Sequence, residues 1–310
     1  MKNILILYYS QTGQLKNIVD SITKPWLNSN SFSVDFVEYK PVNPYPFPWS
    51  SDAFFDVFPE SREGITCPML EINIDESKHY DLIVFAYQVW YLSPSIPAWS
   101  ILNSPQLSSF LKGKNVLTVL GVRNMWVQAH QRVQQKLKNL KAQTVGNIVL
   151  SDPANNLVSV ITVIKWLING NQGPSGVWPR SGVPQKRIEE AQKYGQIIQT
   201  AIENNKLEAL QKQLVKAGAV DLDFVLKTIE ANGFRIFGIW ARLILKKGKA
   251  GNPKRLFRVR VFKYYLLFMI FGLAPIASLI FRIINLIFYP IIQNHLKNLK
   301  ELNYLKMDKK

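Results

Sequence analysis

A short run of hydrogen-bond donors near the amino terminus has the composition of an anion-binding turn. The segment Ser10-Gln11-Thr12-Gly13-Gln14 follows an apolar run and precedes a helical pattern that starts near Gln14. Free backbone N–H groups and the helix dipole favour an anion there, and Gly13 has no Cβ to obstruct it. Residues 4–15 contain no Lys or Arg, and the Gly-Lys-Ser/Thr ending of ATP-binding loops is missing. The segment therefore predicts a loop for the monophosphate of a mononucleotide, the alternative being a polar turn without a ligand.

Two later loops carry side chains that suit a flat, charged ring. Trp90 and Tyr91 follow the apolar run 81–87, and prolines stiffen the chain after them. Indole and phenol rings can stack on a planar ligand, although both are also common core residues. Arg123 lies in the next loop, 121–126, where its cation could stabilise negative charge on such a ring. A surface charge is the alternative for Arg123.

One histidine is placed where it could transfer a proton. His130 lies on the predicted helix 126–140, beside the apolar stripe of that helix. It could exchange a proton with a ligand, or it could be a helix histidine held in the core. No residues show metal-ligand spacing, so no metal site is expected.

Five apolar runs, separated by helical patterns, would position these loops. The predicted strands begin near Asn3 and then cover 33–39, 81–87, 115–120 and 144–150. Helices are predicted over 15–23, 126–140, 157–168 and 185–204. This alternation predicts an α/β domain with a doubly wound parallel sheet, whose strands end at the ligand-binding edge. Residues 41–68, rich in Pro and aromatic side chains, are either an ordered flap or a surface insertion.

The first loop resembles the phosphate loop of flavodoxins and flavodoxin-like NAD(P)H:quinone reductases. Those loops usually read Ser/Thr-x-Thr-Gly-x-Thr, and here Leu15 stands where a hydroxyl residue is common. A Ser-Pro-x-x-Pro pattern after Tyr91 is also similar. The resemblance implies a flavodoxin-like five-stranded sheet of order 2-1-3-4-5 with FMN as cofactor. The FMN contacts it implies are Ser10, Gln11, Thr12, Gly13, Gln14, Leu15, Gln88, Val89, Trp90, Tyr91, Gly121, Arg123, Asn124 and Trp126.

Positive charge is concentrated in the carboxyl-terminal third of the chain. Residues 1–210 hold 19 Lys/Arg and 16 Asp/Glu, whereas residues 211–310 hold 19 and 5, so that +14 of the net +17 lies in the second part. We predict an FMN-binding domain over 1–205 and a basic, apolar helical extension over 206–310. Such asymmetry suggests an anionic partner. The basic residues surround aliphatic runs, which favours a membrane surface over nucleic acid.

The extension contains a segment apolar enough to enter a bilayer. Short helices are predicted over 207–217 and 221–231, a basic amphipathic helix over 234–247 and a basic linker over 249–263. Residues 264–292 then carry one charge in 29 residues, which is long enough to span. Gly272 and Pro275 would break such a span, and both flanks are basic. The pattern favours attachment of 234–292 to the inner face of the membrane, with a buried helical cap and a true span as alternatives.

Four segments together resemble the dialkylresorcinol condensing enzymes of bacterial aryl-polyene and flexirubin-type pigment pathways: YYSQTGQL, GVRNMW, NNLVSVITVIKWL and WPRSGV. Condensation itself would fall to a thiolase-fold partner, because Cys67 has no catalytic His and Asn pattern around it. The resemblance implies that FMN oxidises a lipophilic dialkyl cyclohexanedione to the aromatic dialkylresorcinol. Tyr91, Arg123 and His130 are the candidates for holding the ring, stabilising an enolate and removing a proton.

Two other functions remain open from the sequence. The first is an NAD(P)H-dependent quinone or aromatic reductase that uses the same flavin in the opposite direction. The second, outside the enzymes, is a flavin electron carrier or a membrane-attached binding protein. A single Cys excludes an internal disulfide, and no cleavable signal pattern is present, so a cytoplasmic protein is expected. A homo-oligomer is compatible with the sequence.

Overall fold

Five parallel strands form the centre of the fold in the computed structural model, which describes residues 1–303. They are β1 (Lys2–Tyr8), β2 (Phe32–Glu38), β3 (Leu82–Tyr87), β4 (Asn115–Val122) and β5 (Gln143–Ser151). Their spatial order is β2-β1-β3-β4-β5, which is the flavodoxin-like order of doubly wound sheets. The predicted fold class is therefore confirmed.

The sheet is buried on both faces, as its sequence pattern predicts. Every residue of β3 is buried, and β3 lies between β1 and β4 with Ile83 opposite both Leu5 and Val116. Parallel strands covered by helices on both faces read as continuous apolar runs for this reason. The strands thus form one rigid core, and their carboxyl ends carry the three predicted loops.

The helices of residues 1–303 flank this sheet and then extend beyond it. They are α1 (Gln14–Leu27), α2 (Ser51–Asp56), α3 (Phe58–Glu63), α4 (Ile96–Leu102), α5 (Pro105–Phe110), α6 (Val127–Asn139), α7 (Asn156–Asn169), α8 (Gln185–Glu190), α9 (Gln192–Glu203), α10 (Leu210–Lys216), α11 (Phe224–Leu245), α12 (Leu256–Phe268), α13 (Ala274–Ile287) and α14 (Tyr289–Lys300). The predicted single helix over 185–204 is wrong at Ala191. There the N–H groups of Ala191 and Tyr194 donate to the carbonyl groups three residues earlier in the chain, those of Ile188 and Ala191. This tighter turn separates α8 from α9.

Helix α9 approaches α1 closely enough that only glycine fits between them. A Cβ on Gly195 would lie 1.9 Å from the carbonyl oxygen of Ile22. The buried indole of Trp26 donates to the carbonyl of Gly195 at 2.8 Å. Backbone contact of this kind fixes the last helix of the sheet region against the helix that begins at the phosphate turn.

Residues 41–68 are ordered and contain two short helices, α2 and α3. Ser50 caps α2 by accepting from the N–H of Ala53. The N–H of Trp49 donates to the carbonyl of Leu167 at 2.8 Å, which ties the segment to α7. The flap is therefore part of the wall above the carboxyl edge of the sheet.

The extension is more continuous than its sequence predicts. One helix, α11, covers both the predicted helix 221–231 and the amphipathic helix 234–247, passing through Gly233. The predicted linker over 249–263 is wrong from Leu256, where α12 begins. The predicted break at Gly272 and Pro275 is a π-helical turn, Met269–Leu273. Pro275 stands in the first turn of α13, where its missing N–H costs little.

Both ends of the segment α12–α14 are attached to the sheet region. At its start, the fully buried guanidinium of Arg255 binds the carboxylates of Asp56 and Glu60, each at 2.6 Å. At its end, the side chain of Gln211 donates to the carbonyl of Lys300 at 2.6 Å. The division at residue 205 stays a prediction, because the chain after it packs directly on β5 through α10.

Candidate functional site

A cavity of about 480 Å³ lies at the carboxyl edge of the sheet. This size falls within the range of small-molecule and cofactor sites. The structure brings most predicted contact residues together in its lining: Gln11, Thr12, Gln14, Leu15, Gln88, Val89, Trp90, Tyr91, Gly121 and Arg123. The predicted residues that the lining does not include are Ser10, Gly13, Asn124, Trp126 and His130.

The turn before α1 presents backbone donors to one end of this cavity. Gly13 is the N-cap of α1 and has φ +82°, a left-handed conformation that favours glycine. Among residues 1–303, the N–H groups of Thr12 through Leu15 have no hydrogen-bond acceptor. The hydroxyl oxygen of Ser10 accepts from the N–H of Lys16 at 3.2 Å, which leaves its hydrogen free to donate. The turn is therefore a set of neutral donors at a helix N-terminus, the arrangement that binds phosphate groups.

The two glutamine side chains of this turn form hydrogen bonds to the backbone of neighbouring loops. Gln11 donates to the carbonyl of Pro46 in the flap at 2.9 Å. Gln14 both donates to and accepts from the backbone of Val183, at 3.2 and 3.0 Å. The side chain of Leu15 is 2% exposed and belongs to the core. Gln14 and Leu15 can therefore offer backbone N–H groups to a phosphate, and the predicted FMN contact of Leu15 stays a prediction for its backbone.

The loop after β3 is held in an unusual conformation. Tyr91 and Leu92 have φ of +49° and +61°, a region that is rare for side-chain-bearing residues and is concentrated at functional sites. The hydroxyl of Tyr91 donates to the carbonyl of Phe54 at 2.5 Å, and burial raises its pKa well above the ordinary value. Tyr91 is therefore a fixed, protonated wall residue.

Two side chains of the same loop, Gln88 and Trp90, line the cavity. Trp90 lines the cavity and meets Trp49 edge-on, with ring centroids 5.7 Å apart at 83°. The buried Oε1 of Gln88 has no hydrogen-bond donor among residues 1–303. Since a buried acceptor without a donor is costly, this amide is suited to a ligand that carries an N–H or O–H group.

Arg123 supplies half-buried positive charge at the cavity wall. Its guanidinium donates to the carbonyl and side-chain oxygens of Asn156 at 3.1 and 2.7 Å. Burial lowers its pKa to about 10, opposed by the carboxylates of Asp152 and Glu230. Arg123 is thus charged at neutral pH and is not a surface residue. Asn124 donates to the same Asn156 oxygen at 2.9 Å, so these loops are cross-linked.

The structure does not bring His130 to the cavity. The ring is 3% exposed, and its Nδ1 lies 3.3 Å from the hydroxyl of Tyr87. It packs edge-on against Trp126, with centroids 5.5 Å apart. Burial lowers the pKa of His130 to about 3. A neutral core ring cannot reach a substrate in the cavity, so the placement gives the predicted catalytic role of His130 no support.

Sequence reasoning missed a buried acid behind the cavity wall. Glu230 on α11 is 1% exposed and accepts from the N–H of Gln128 at 2.7 Å, at the N-terminus of α6. Burial raises its pKa to about 7, while this hydrogen bond and the charges of Lys227 and Arg123 act in the opposite direction. The signal was present in the sequence, because Glu230 is the single acid of the 22-residue helix α11.

The far end of the cavity is apolar and is built by the extension. Side chains of α11, α12, the π-helical turn and α13 form a roof over the loops: Ile229, Ile236, Phe237, Leu266, Met269, Ile270, Leu273, Ala274, Ala277 and Phe281. Trp166 and Leu167 on α7 close the side. The cavity therefore has a donor-rich end at the sheet and an apolar end under the helices.

No protein-family model matches the chain, and no curated protein matches it. Several solved structures are similar to part of it. A flavoprotein in complex with FMN from Lactobacillus acidophilus NCFM is 19% identical and covers 48% of this chain and 93% of its own, with a TM-score of 0.37. A flavodoxin from the domain Archaea is 14% identical, with coverages of 66% and 99% and a TM-score of 0.35. A flavodoxin variant from Fusobacterium nucleatum bound to flavin mononucleotide is 16% identical, with coverages of 46% and 67% and a TM-score of 0.28. The assignment of the fold therefore rests on the strand order.

Proposed function

We propose that this protein is an FMN-dependent oxidoreductase that acts on a lipophilic cyclic substrate. One observation carries the proposal: a single cavity joins a turn of free backbone donors at the sheet edge to an apolar compartment under α11–α13. The first end suits a cofactor with a phosphate tail, and the second suits a substrate without charge.

The donor-rich end fits a monophosphate better than a longer phosphate chain. A dianion at this turn would meet backbone N–H groups and the positive end of the α1 dipole. The hydroxyl groups of Ser10 and Thr12 add neutral donors. No lysine or arginine side chain lines this end, whereas ATP sites place a lysine on the β and γ phosphates.

The middle of the cavity fits a flat ring with polar edges. Trp90 and Trp49 offer aromatic surface, and the Oε1 of Gln88 lacks a donor. A flavin carries both a ring N–H and ribityl hydroxyls, so it can satisfy that oxygen. Arg123 stabilises negative charge that develops on a reduced flavin or on a substrate oxygen.

Within this class we propose oxidative aromatisation of a dialkyl cyclohexanedione to a dialkylresorcinol, the reaction that the sequence resemblance implies. When bound, FMN supplies the oxidant and accepts the hydride that the ring loses. The second hydrogen leaves as a proton, which passes to water at the polar end of the cavity when the 1,3-dione forms its enolate. A 1,3-dione is acidic enough to enolise without a strong base, in keeping with a cavity lining that contains no histidine.

The residues of the chain then have distinct roles in this reaction. Arg123 holds the enolate oxygen by charge, since its guanidinium stays protonated at neutral pH. Tyr91 shapes the wall and does not exchange a proton, because its hydroxyl is engaged with Phe54. The apolar roof excludes water and holds the alkyl chains of the substrate.

The visible spectrum of the purified protein tests the cofactor. We expect a flavin spectrum and release of FMN on denaturation. Thr12→Asp places a carboxylate beside the proposed phosphate and should weaken FMN binding by about a hundredfold or more, because like charges at one site cost several kcal/mol. Thr200→Asp, at an exposed position of α9, is the matched control and should bind as the wild type does.

A colourless protein that takes up no added FMN would overturn the proposal. The substrate is tested separately, by incubating the FMN-loaded protein with a 2,5-dialkylcyclohexane-1,3-dione and following the mass of the product. Loss of two hydrogens from the dione supports aromatisation. A protein that holds FMN but leaves the dione unchanged while oxidising NAD(P)H with a quinone would assign it to the reductases.

A further inference from the structure

The segment α12–α14 exposes one long apolar surface, here called the docking face. It consists of Phe257, Val261, Tyr264, Phe268, Phe271, Ile276, Leu279, Ile280, Ile283, Leu286, Ile287 and Ile291, each at least 39% exposed. Helix residues Pro253–Ile287 are long and apolar enough to cross a membrane by length and composition, with a hydropathy of 2.2 and none of that window buried. Soluble monomers rarely expose a contiguous patch of this extent.

The path of the chain argues for a helix that lies along a surface. Arg255 binds Asp56 and Glu60 at the start of α12, and Ile292 and Leu296 of α14 belong to the core of the sheet region. Both ends therefore lie on the same body of protein, although the run between them is long. A segment that crossed a bilayer would separate its ends by the thickness of the membrane.

The inner side of the same helices is already occupied. Leu266, Ile270 and Phe281 line the cavity, and α13 packs against α11. The helices thus have one face on the protein and one face outward, and α13 has the one-sided apolar character of an interfacial helix.

Cations border the docking face. At about 100° per residue, Lys254 and Arg260 fall on opposite sides of the line through Phe257 and Phe268. Exposed Lys246 and Lys247 follow α11 nearby in the chain, and residues 211–310 carry +14. Tyr264 also stands on this face, and a tyrosine ring suits the level of lipid headgroups. An apolar stripe with a basic border is complementary to a bilayer that carries negative headgroups.

We infer that the docking face binds the anionic surface of a lipid bilayer, with α12 and α13 lying in the plane of the interface. The apolar side chains enter the acyl boundary, and the bordering lysines and arginines contact the headgroups. The sheet region remains in water on the other side of these helices.

The inference deepens the proposed function and rests on it in one respect, the route of the substrate. Leu273 is 43% exposed and also lines the cavity. It ends the π-helical turn Met269–Leu273, and such turns are frequent at functional sites. The cavity and the docking face therefore meet at this turn, where a lipophilic ring could pass from the bilayer to the flavin without crossing water.

Flotation of the full-length protein with vesicles tests the docking. The probes are vesicles of phosphatidylcholine alone and vesicles with a third of phosphatidylglycerol. We expect the protein to float with the anionic vesicles, to bind the neutral ones at least about tenfold more weakly, and to dissociate as salt is raised. Binding is scored on the protein itself, so a loss of FMN binding would affect the proposed function alone.

The decisive variant is Leu279→Glu with Ile283→Glu, which puts two carboxylates on the docking face and leaves the cavity lining unchanged. Vesicle binding should fall about tenfold or more. The matched control is Leu27→Glu, an exposed apolar residue at the end of α1 that is 57% exposed; it should bind as the wild type does. Circular dichroism verifies that each variant is folded. The inference is overturned if the wild type ignores both vesicles, if the double variant floats unchanged, or if the face instead forms a concentration-dependent dimer.

Discussion

The sheet region buries most of its apolar side chains, whereas the helical extension exposes many of its own. In the sheet region, strands such as β3 are completely buried, and exposed apolar residues such as Leu27 and Leu70 are scattered. In the extension, α13 has no buried residue, and its exposed apolar side chains recur on successive turns. Burial of apolar surface is the main favourable term in folding. The sheet region buries its own apolar side chains, whereas α13 packs one side on α11 and the cavity and leaves the other side exposed.

The cavity and the junction between the two regions differ in how their buried polar groups are paired. Around the cavity, the sheet region leaves polar atoms of Gln88 and Asn124 without partners among residues 1–303. At its junction with the extension, the charges of Arg255, Asp56 and Glu60 are fully paired. Because the Oε1 of Gln88 lies in the cavity lining, its missing donor leaves room for a ligand to bind there. The paired charges of Arg255, Asp56 and Glu60 instead attach the start of α12 to the flap.

The junction gives the largest expected effect. Arg255→Leu should cost about 3 to 5 kcal/mol in the free energy of unfolding, because it leaves two buried carboxylates without a partner. The measurement is urea denaturation, together with protease cleavage between α11 and α12. Arg260→Leu, which removes the exposed pair with Asp52, is the control and should change neither. Equal stability of both variants would show that the regions are held together by other contacts.

Alanine substitutions at two glycines, one in each region, test how tightly the helices of that region are packed. Gly195→Ala should cost about 2 to 3 kcal/mol or more, because its Cβ would meet the backbone of Ile22 at 1.9 Å. Gly238→Ala on α11 should change stability by under about 1 kcal/mol, since its Cβ would meet a side-chain atom, the Nη2 of Arg62, at 2.8 Å and not a backbone atom. Thermal unfolding of both variants makes the comparison. Similar losses would mean that α11 is packed as rigidly as α9.

The smallest effect concerns pH and the buried acid of α11. The pKa of Glu230 is raised from 4.5 to about 7 by burial, so the folded protein keeps a proton that the unfolded chain releases between these values. Stability therefore falls as pH rises through this window, and the loss is complete above it. Glu230→Gln removes the titration while still accepting from Gln128. We expect the variant to be more stable than the wild type at pH 8, by on the order of 2 kcal/mol, and to show a flatter profile.

Urea denaturation of the wild type and of Glu230→Gln from about pH 5 to about pH 8 tests this expectation. Lys227 and Arg123 are the charged groups that act on the carboxyl group, and they are unchanged in the variant. Parallel profiles of the two proteins would contradict the raised pKa. They would also show that burial in the wall of the site does not destabilise the charged form of Glu230.

Local patterns predicted the sheet and its loops well. The apolar runs placed all five strands to within a few residues, and Gly13 placed the start of α1. These features depend on a few neighbouring residues, such as a continuous apolar run or a left-handed glycine. The errors lie where packing overrides propensity, as at Gly233, which a continuous α11 contains because the helix is held against the cavity.

The sequence by itself determined the fold class, the carboxyl-edge position of the three loops and the charged, apolar character of the extension. Only the tertiary structure decided which side chains serve the site. Gln14 is engaged by Val183, 169 residues away, and Glu230 by Gln128, 102 residues away. A hydrogen bond acts over about 3 Å, and the distance along the chain does not predict which groups come that close. Local sequence patterns therefore specify the helices and strands. How these elements pack then decides which side chains are buried, which are hydrogen-bonded and which remain available to a ligand.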